Sequence, residues 1–100
     1  MALKKAFIIS CIYTAEYGAI VVDYQNVYPS HKDALDSIMS NIGATYEEVG
    51  GENIYSSDLH ESIRTQLIEH GEHRKDWGNG NQYLWTVVEA LLEVEEKEAQ

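Results

Sequence analysis

Cysteine, proline and cationic side chains are all scarce in this 100-residue chain, which has one Cys, one Pro and seven Lys and Arg. A single thiol, Cys11, rules out an internal disulfide. Its place in an apolar run marks it as a small core residue suited to a reducing compartment. No apolar run approaches the roughly 18 residues of a membrane-spanning helix. The start, Met1-Ala2-Leu3-Lys4-Lys5, is not followed by a long apolar segment and a cleavage site; Ser10, Thr14 and Glu16 interrupt it. A cytoplasmic protein without membrane contact is therefore expected.

Phosphate-binding loops are missing too. Gly50-Gly51 and Gly78-Asn79-Gly80-Asn81 lack the spacing of a P-loop or a dinucleotide fingerprint, and no Lys-Ser/Thr follows either. No Ser/His/Asp or Cys/His spacing supports a nucleophile, and His31 and His60 have no paired partner for acid–base work. No catalytic residue and no cofactor is expected.

What the chain has in excess is negative charge. Seventeen Asp and Glu against seven Lys and Arg leave a formal charge of −10. Such a chain repels nucleic acid and anionic membrane and is attracted to basic surfaces, commonly the nucleic-acid-binding faces of other proteins. The basic islands, Lys4-Lys5 and His73-Arg74-Lys75, are too small to bind nucleic acid directly. With 44% apolar residues, seven Tyr, two Trp and one Phe, the chain can still bury a core. One domain over residues 1–100 is expected.

Residues Ala6 to Ala15 read as a strand, Glu16-Tyr17-Gly18 as a turn and Ile20 to Val27 as a second strand. Pro29 ends that strand, and Ser30 caps a helix from His31 to about Asn41 that shows Leu35, Ile38, Met39 and Ile42 on one face. Gly43 is placed to end the helix in a left-handed conformation. Ala44 to Tyr55 reads as an exposed, charged excursion. Ser56-Ser57-Asp58 caps a second helix, Leu59 to about His70, that Gly71 ends. Glu72 to Gln82 reads as a polar loop with a turn at Asn79-Gly80.

Tyr83 to Glu95 fits both periods. Leu84, Thr86, Val88, Ala90, Leu92 and Val94 alternate; Leu84, Val87, Val88, Leu91 and Leu92 form a helical stripe. Strand is chosen, because a two-stranded hairpin alone is marginal and a third strand completes a sheet. Glu95 to Gln100 is expected to fray. The fold class is thus α+β: a small antiparallel three-stranded sheet, in the order β-β-α-α-β, packed against two helices.

The expected function is that of a non-enzymatic acidic binding protein that occupies a basic, nucleic-acid-binding surface of a partner protein. By analogy of character, without a shared motif, this is what a phage-type inhibitor of a host defence or nucleic-acid-processing system does. Asp33, Asp36, Glu47, Glu48, Glu52, Glu89, Glu93 and Glu95 would steer and register the partner. Tyr17, Tyr24, Trp77 and Trp85 would be the desolvated anchors. The plainer account of the charge is a solvated surface, and Asp33 and Asp58 also suit helix N-termini. A small structural or regulatory homodimer, joined through an exposed sheet edge, is the alternative. The remaining one is a metal-dependent hydrolase on Glu69, His70, Glu72, His73 and Asp76, weakened by Gly71 between the histidines.

Overall fold

A computed structural model describes residues 2–15, 18–78 and 81–94. Within them the order is β1 (Ala2–Thr14), β2 (Ile20–Tyr28), α1 (His31–Gly50), a 3-10 turn (Ile54–Ser56), α2 (Leu59–His70), β3 (Glu72–Asp76) and β4 (Gln82–Val94). All strands are antiparallel, in the spatial order β2-β1-β4-β3. The fold is α+β with two helices, as expected, but the sheet has four strands rather than three.

The additional strand is β3, whose sequence Glu-His-Arg-Lys-Asp carries no apolar alternation and reads as a loop. It pairs with β4 from Glu72↔Thr86 to Asp76↔Gln82 and buries only His73. A short, charged strand is a common way to end a sheet, because it discourages pairing with another chain.

The first helix is also longer than its glycine suggests. It starts as expected, with the Ser30 hydroxyl accepting a hydrogen bond from the Asp33 N–H. Gly43 does not end it. A Cβ there would lie 3.1 Å from the Tyr55 ring, so this glycine serves close approach rather than termination. The helix continues to Gly50, and Gly51 supplies the left-handed cap, donating its N–H to the Glu47 carbonyl. Glu47 and Glu48 therefore stand on a helix and not on a loop. Glycine inside a helix costs about 1 kcal/mol against alanine; packing of Tyr55 over the gap offsets this.

The core lies between one sheet face and both helices. β1 presents Ile9 and Cys11, β4 presents Trp85 and Val87, and α1 supplies Leu35, Ile38 and Ile42; Ile63 and Leu67 of α2 complete it. The Leu84–Leu92 alternation of β4 lies on the opposite face, since its members pair with Ile8, Ser10 and Ile12 rather than with Ile9 and Cys11. Both faces of β4 are therefore apolar, and this is the source of its ambiguous period. Beyond Phe7↔Tyr28 and Glu72↔Thr86, β1 and β4 run on together as a ribbon of residues 2–6 and 90–94. The molecule is 53 Å in its longest dimension.

Candidate functional site

Charge is unevenly divided between the layers. The segment His31–His70, which holds both helices, carries eight carboxylates against Lys32 and Arg64, a balance of −6. The described strand residues carry Asp23, Glu72, Asp76, Glu89 and Glu93 against Lys4, Lys5, Arg74 and Lys75, a balance of −1. On α1, Asp33, Asp36, Ser40, Ala44 and Glu47 recur at helical spacing and are all exposed. The stripe is about 21 Å long at about 1.5 Å per residue. Glu48 flanks its end and Glu52 follows the cap.

Asp36 differs from the rest of this stripe. Its carboxylate accepts from Lys32 Nζ at 2.8 Å and from Arg64 Nη1 at 3.1 Å. These two hydrogen bonds, Lys32 first, hold its pKa below the usual carboxylate range. The Arg64 contact also ties α2 to α1, so the acids of α2 share the layer. Asp58, Glu61 and Glu69 thus join the acidic face, although sequence reasoning leaves them out of the site. Their signal was available in the helical spacing of α2; what was missing was the packing of α2 beside α1.

Two of the expected acidic contact residues lie on the sheet instead of the helices. Glu89 pairs with Lys5 at 3.3 Å on the strands, and Glu93 stands on the projecting ribbon. Tyr17 and Glu95 fall outside the described residues. Trp85 requires a correction: it is fully buried, with its Nε1–H donating to Asn41 Oδ1 at 2.9 Å. It is a core residue and not an anchor for a partner. Tyr24 is half-buried. Its hydroxyl shares a hydrogen bond with Ser37 Oγ at 2.9 Å, and Tyr28 reaches the same oxygen at 2.8 Å. The Ser37 bond is the main cause of its lowered pKa. This cluster fastens the edge strand β2 to α1.

Trp77 sits at the end of α1. A Cβ on Gly50 would lie 2.5 Å from its Nε1, so the absence of a side chain there admits the indole. Trp77 meets Tyr46 and Tyr83 edge-on at centroid distances of 4.9 and 5.5 Å, with Lys75 Nζ 5.7 Å from its ring. It remains half-exposed at the C-terminal end of α1, the end that carries Glu47 and Glu48. Among the described aromatic anchors, Trp85 is buried, while Tyr24 and Trp77 both keep part of their surface beside α1; Trp77 is the one at the Glu47–Glu48 end of the helix.

Beneath it lies a buried polar chain. The Tyr46 hydroxyl is 2.7 Å from His73 Nε2, and His73 Nδ1 is 2.7 Å from Gln66 Oε1. Because Oε1 only accepts, Nδ1 carries the proton and Nε2 accepts from Tyr46. Burial, with Lys75 adding a like charge, lowers the His73 pKa to about 4. Burial pushes Tyr46 up to about 12, with Glu52 adding to the effect. Both groups are neutral near pH 7. His70 is exposed on the last turn of α2 while His73 points into the core, so the five residues of the metal reading do not converge. Among the described residues, no three His, Cys, Asp or Glu come together as a metal would require. Cys11 is buried, and burial followed by the charge of Asp23 pushes its thiol up to about 12. Both effects disfavour the thiolate form that a nucleophile needs.

No family model, curated protein or solved structure matches this chain. Its geometry and electrostatics alone carry the functional reading. Among the described residues, no helix is long and apolar enough to cross a membrane.

Proposed function

We propose that this protein is a non-enzymatic binding protein whose acidic helical layer occupies a basic, nucleic-acid-binding surface of a partner protein, in the manner of an inhibitor. The reading rests on the −6 balance of the segment His31–His70 against the −1 of the described strand residues. The carboxylates of Asp33, Glu47 and Glu48, spaced along a rigid helix, form a directional negative field of the kind that steers cationic partners. Trp77, held at the end of that stripe, adds an aromatic contact of the kind enriched at binding hot spots. Asp36 takes a smaller part, because Lys32 and Arg64 already neutralise it.

The test is capture of partners from a native lysate at about 50 and about 500 mM salt, with and without competing duplex DNA. Captured proteins should be basic nucleic-acid binders, released by the higher salt, displaced by the duplex and lost with Glu47→Lys/Glu48→Lys. Capture that ignores salt, duplex and charge reversal alike rejects the proposal.

A further inference from the structure

The face of the sheet turned away from the helices is uncovered and apolar. Ile20, Val22, Val27, Val88 and Leu92 retain 72%, 61%, 49%, 52% and 43% of their surface exposed. With Ile8, Ile12 and Leu84 between them they form an apolar field across β2, β1 and β4 that is crossed by one polar row, Gln25, Ser10, Thr86 and Glu72, in which the Ser10 and Thr86 hydroxyls bond each other at 2.6 Å. At the end near the β1–β2 turn, a hollow of about 500 Å³ opens in this field, lined by Ile12, Ile20 and Leu84 and rimmed by Arg74 and Asp76. We infer that this face docks a second copy of the chain, sheet against sheet, so that the acidic layers point outward on both sides.

Three observations select a second copy. The first is area. Strands of 13, 9, 5 and 13 residues, at about 3.3 Å per residue and about 4.8 Å apart, span about 600 Å² in projection. Side chains standing above the sheet raise the accessible surface toward the roughly 800 Å² per partner of a standard stable interface. The second is charge. The face carries Lys4 and Arg74 against Glu72 and Asp76, so it is neutral and has no pull on the basic partner that the helices suit. In a two-fold arrangement with strand ends exchanged, the ribbon of one copy, with Lys4 and Leu92, lies toward the hollow and Asp76 of the other. The third is repulsion. Two helical layers of −6 each would then stand about 30 Å apart, three layer spacings of about 10 Å, and well beyond a Debye length of about 8 Å. The charge of the helical layers therefore opposes this association only weakly.

The sheet edges suit a copy less well than the face. β2 has a register shift opposite Cys11/Ile12, which places Asp23 in a bulge, and β3 has only five residues, mostly charged. Two sheets joined face to face with aligned strands make a sandwich, and the projecting β1–β4 ribbon, marginal as two strands in water, gains a covered side.

The experiment is sedimentation equilibrium of the full chain up to about 100 µM, with Val22→Glu and Val88→Glu as variants. Both positions are exposed in the single chain, so a carboxylate there leaves the fold intact, which far-UV circular dichroism checks. The expected result is a species of twice 11.3 kDa for the natural chain. Each variant should weaken its association at least tenfold. Glu47→Lys/Glu48→Lys, which disables the proposed partner face, should leave it unchanged, so the two proposals fail separately. A monomer at about 100 µM overturns the inference, as does a dimer indifferent to Val22→Glu and Val88→Glu; the first outcome leaves the face to a different protein.

Discussion

The Tyr46 hydroxyl and His73 Nε2 stand 2.7 Å apart inside the core and join the longest helix to an edge strand that buries little else. The bond requires an unprotonated Nε2. The folded His73 pKa, about 4 against an ordinary 6.5, therefore sets a sign. Between these values the unfolded chain binds the extra proton. Stability is fully present above pH 6.5 and falls as pH drops toward 4. The loss amounts to as much as about 3 kcal/mol, since each tenfold change in proton affinity is worth about 1.4 kcal/mol. Urea unfolding at pH 7 and pH 4.5 measures it. In His73→Phe the dependence in this window should shrink sharply, although Tyr46 and Gln66 then lack a partner and overall stability falls by about 1–3 kcal/mol.

Gly50 and Trp77 form a second such pair. On helix propensity alone, Gly50→Ala should stabilise by about 1 kcal/mol. With the indole nitrogen 2.5 Å from the new Cβ, the net effect should instead be a loss of about 1–2 kcal/mol. Displacement of Trp77 should move the fluorescence to the red. A stabilised variant with unchanged fluorescence would show that the indole moves aside freely.

The carboxylates of α1 should not be equal in binding. Asp36 already accepts from Lys32 and Arg64, so Asp36→Asn should change the affinity for a captured basic partner less than twofold. Glu47→Lys/Glu48→Lys should reduce it more than tenfold at low salt, and by less at high salt. Titration calorimetry at two ionic strengths reads both numbers; equal losses at the three positions would argue against a field centred on the end of α1.

Trp85 makes a stability prediction instead of a binding one. It is fully buried, and its indole N–H is held by Asn41. Trp85→Ala should cost about 3–5 kcal/mol, enough to unfold much of a marginally stable domain. Trp85→Phe should retain the fold at a smaller loss. Thermal unfolding distinguishes them, and a mild effect of Trp85→Ala would place the residue outside the core.

The parts that were legible in the sequence share a property: a local signal with one physical meaning. Ser30 after Pro29, the Leu35–Ile42 spacing, Gly71 at the end of α2 and the β1–β2 hairpin all match the structure to within a few residues; α2 also starts where expected, although the Asp58 side chain makes no cap bond and the Ser57 hydroxyl accepts from the Leu59 N–H instead. Gly43 misled because glycine serves two purposes, a left-handed helix end and a close approach, and only the position of Tyr55 tells which applies. Glu72–Asp76 misled because an edge strand is held by backbone pairing, which leaves no apolar pattern in its side chains. In the candidate site, the acidic residues of α1 were identifiable singly. Neither the neutralisation of Asp36 by Arg64, 28 residues away, nor the burial of Trp85 has any local sign.

By itself, the sequence determined the secondary-structure types of the hairpin and both helices, the α+β class, the supply of core residues and the excess of negative charge. These follow from side-chain chemistry and short-range periodicity, which act within a few residues. Only the tertiary structure decided which apolar face of β4 meets the helices. Tyr83, Trp85 and Val87 compete there with Leu84, Val88 and Leu92, and alternation alone is symmetric between them. Pairing with Ile9 and Cys11 breaks the symmetry, sending Trp85 inward and leaving an apolar face opposite the acidic layer.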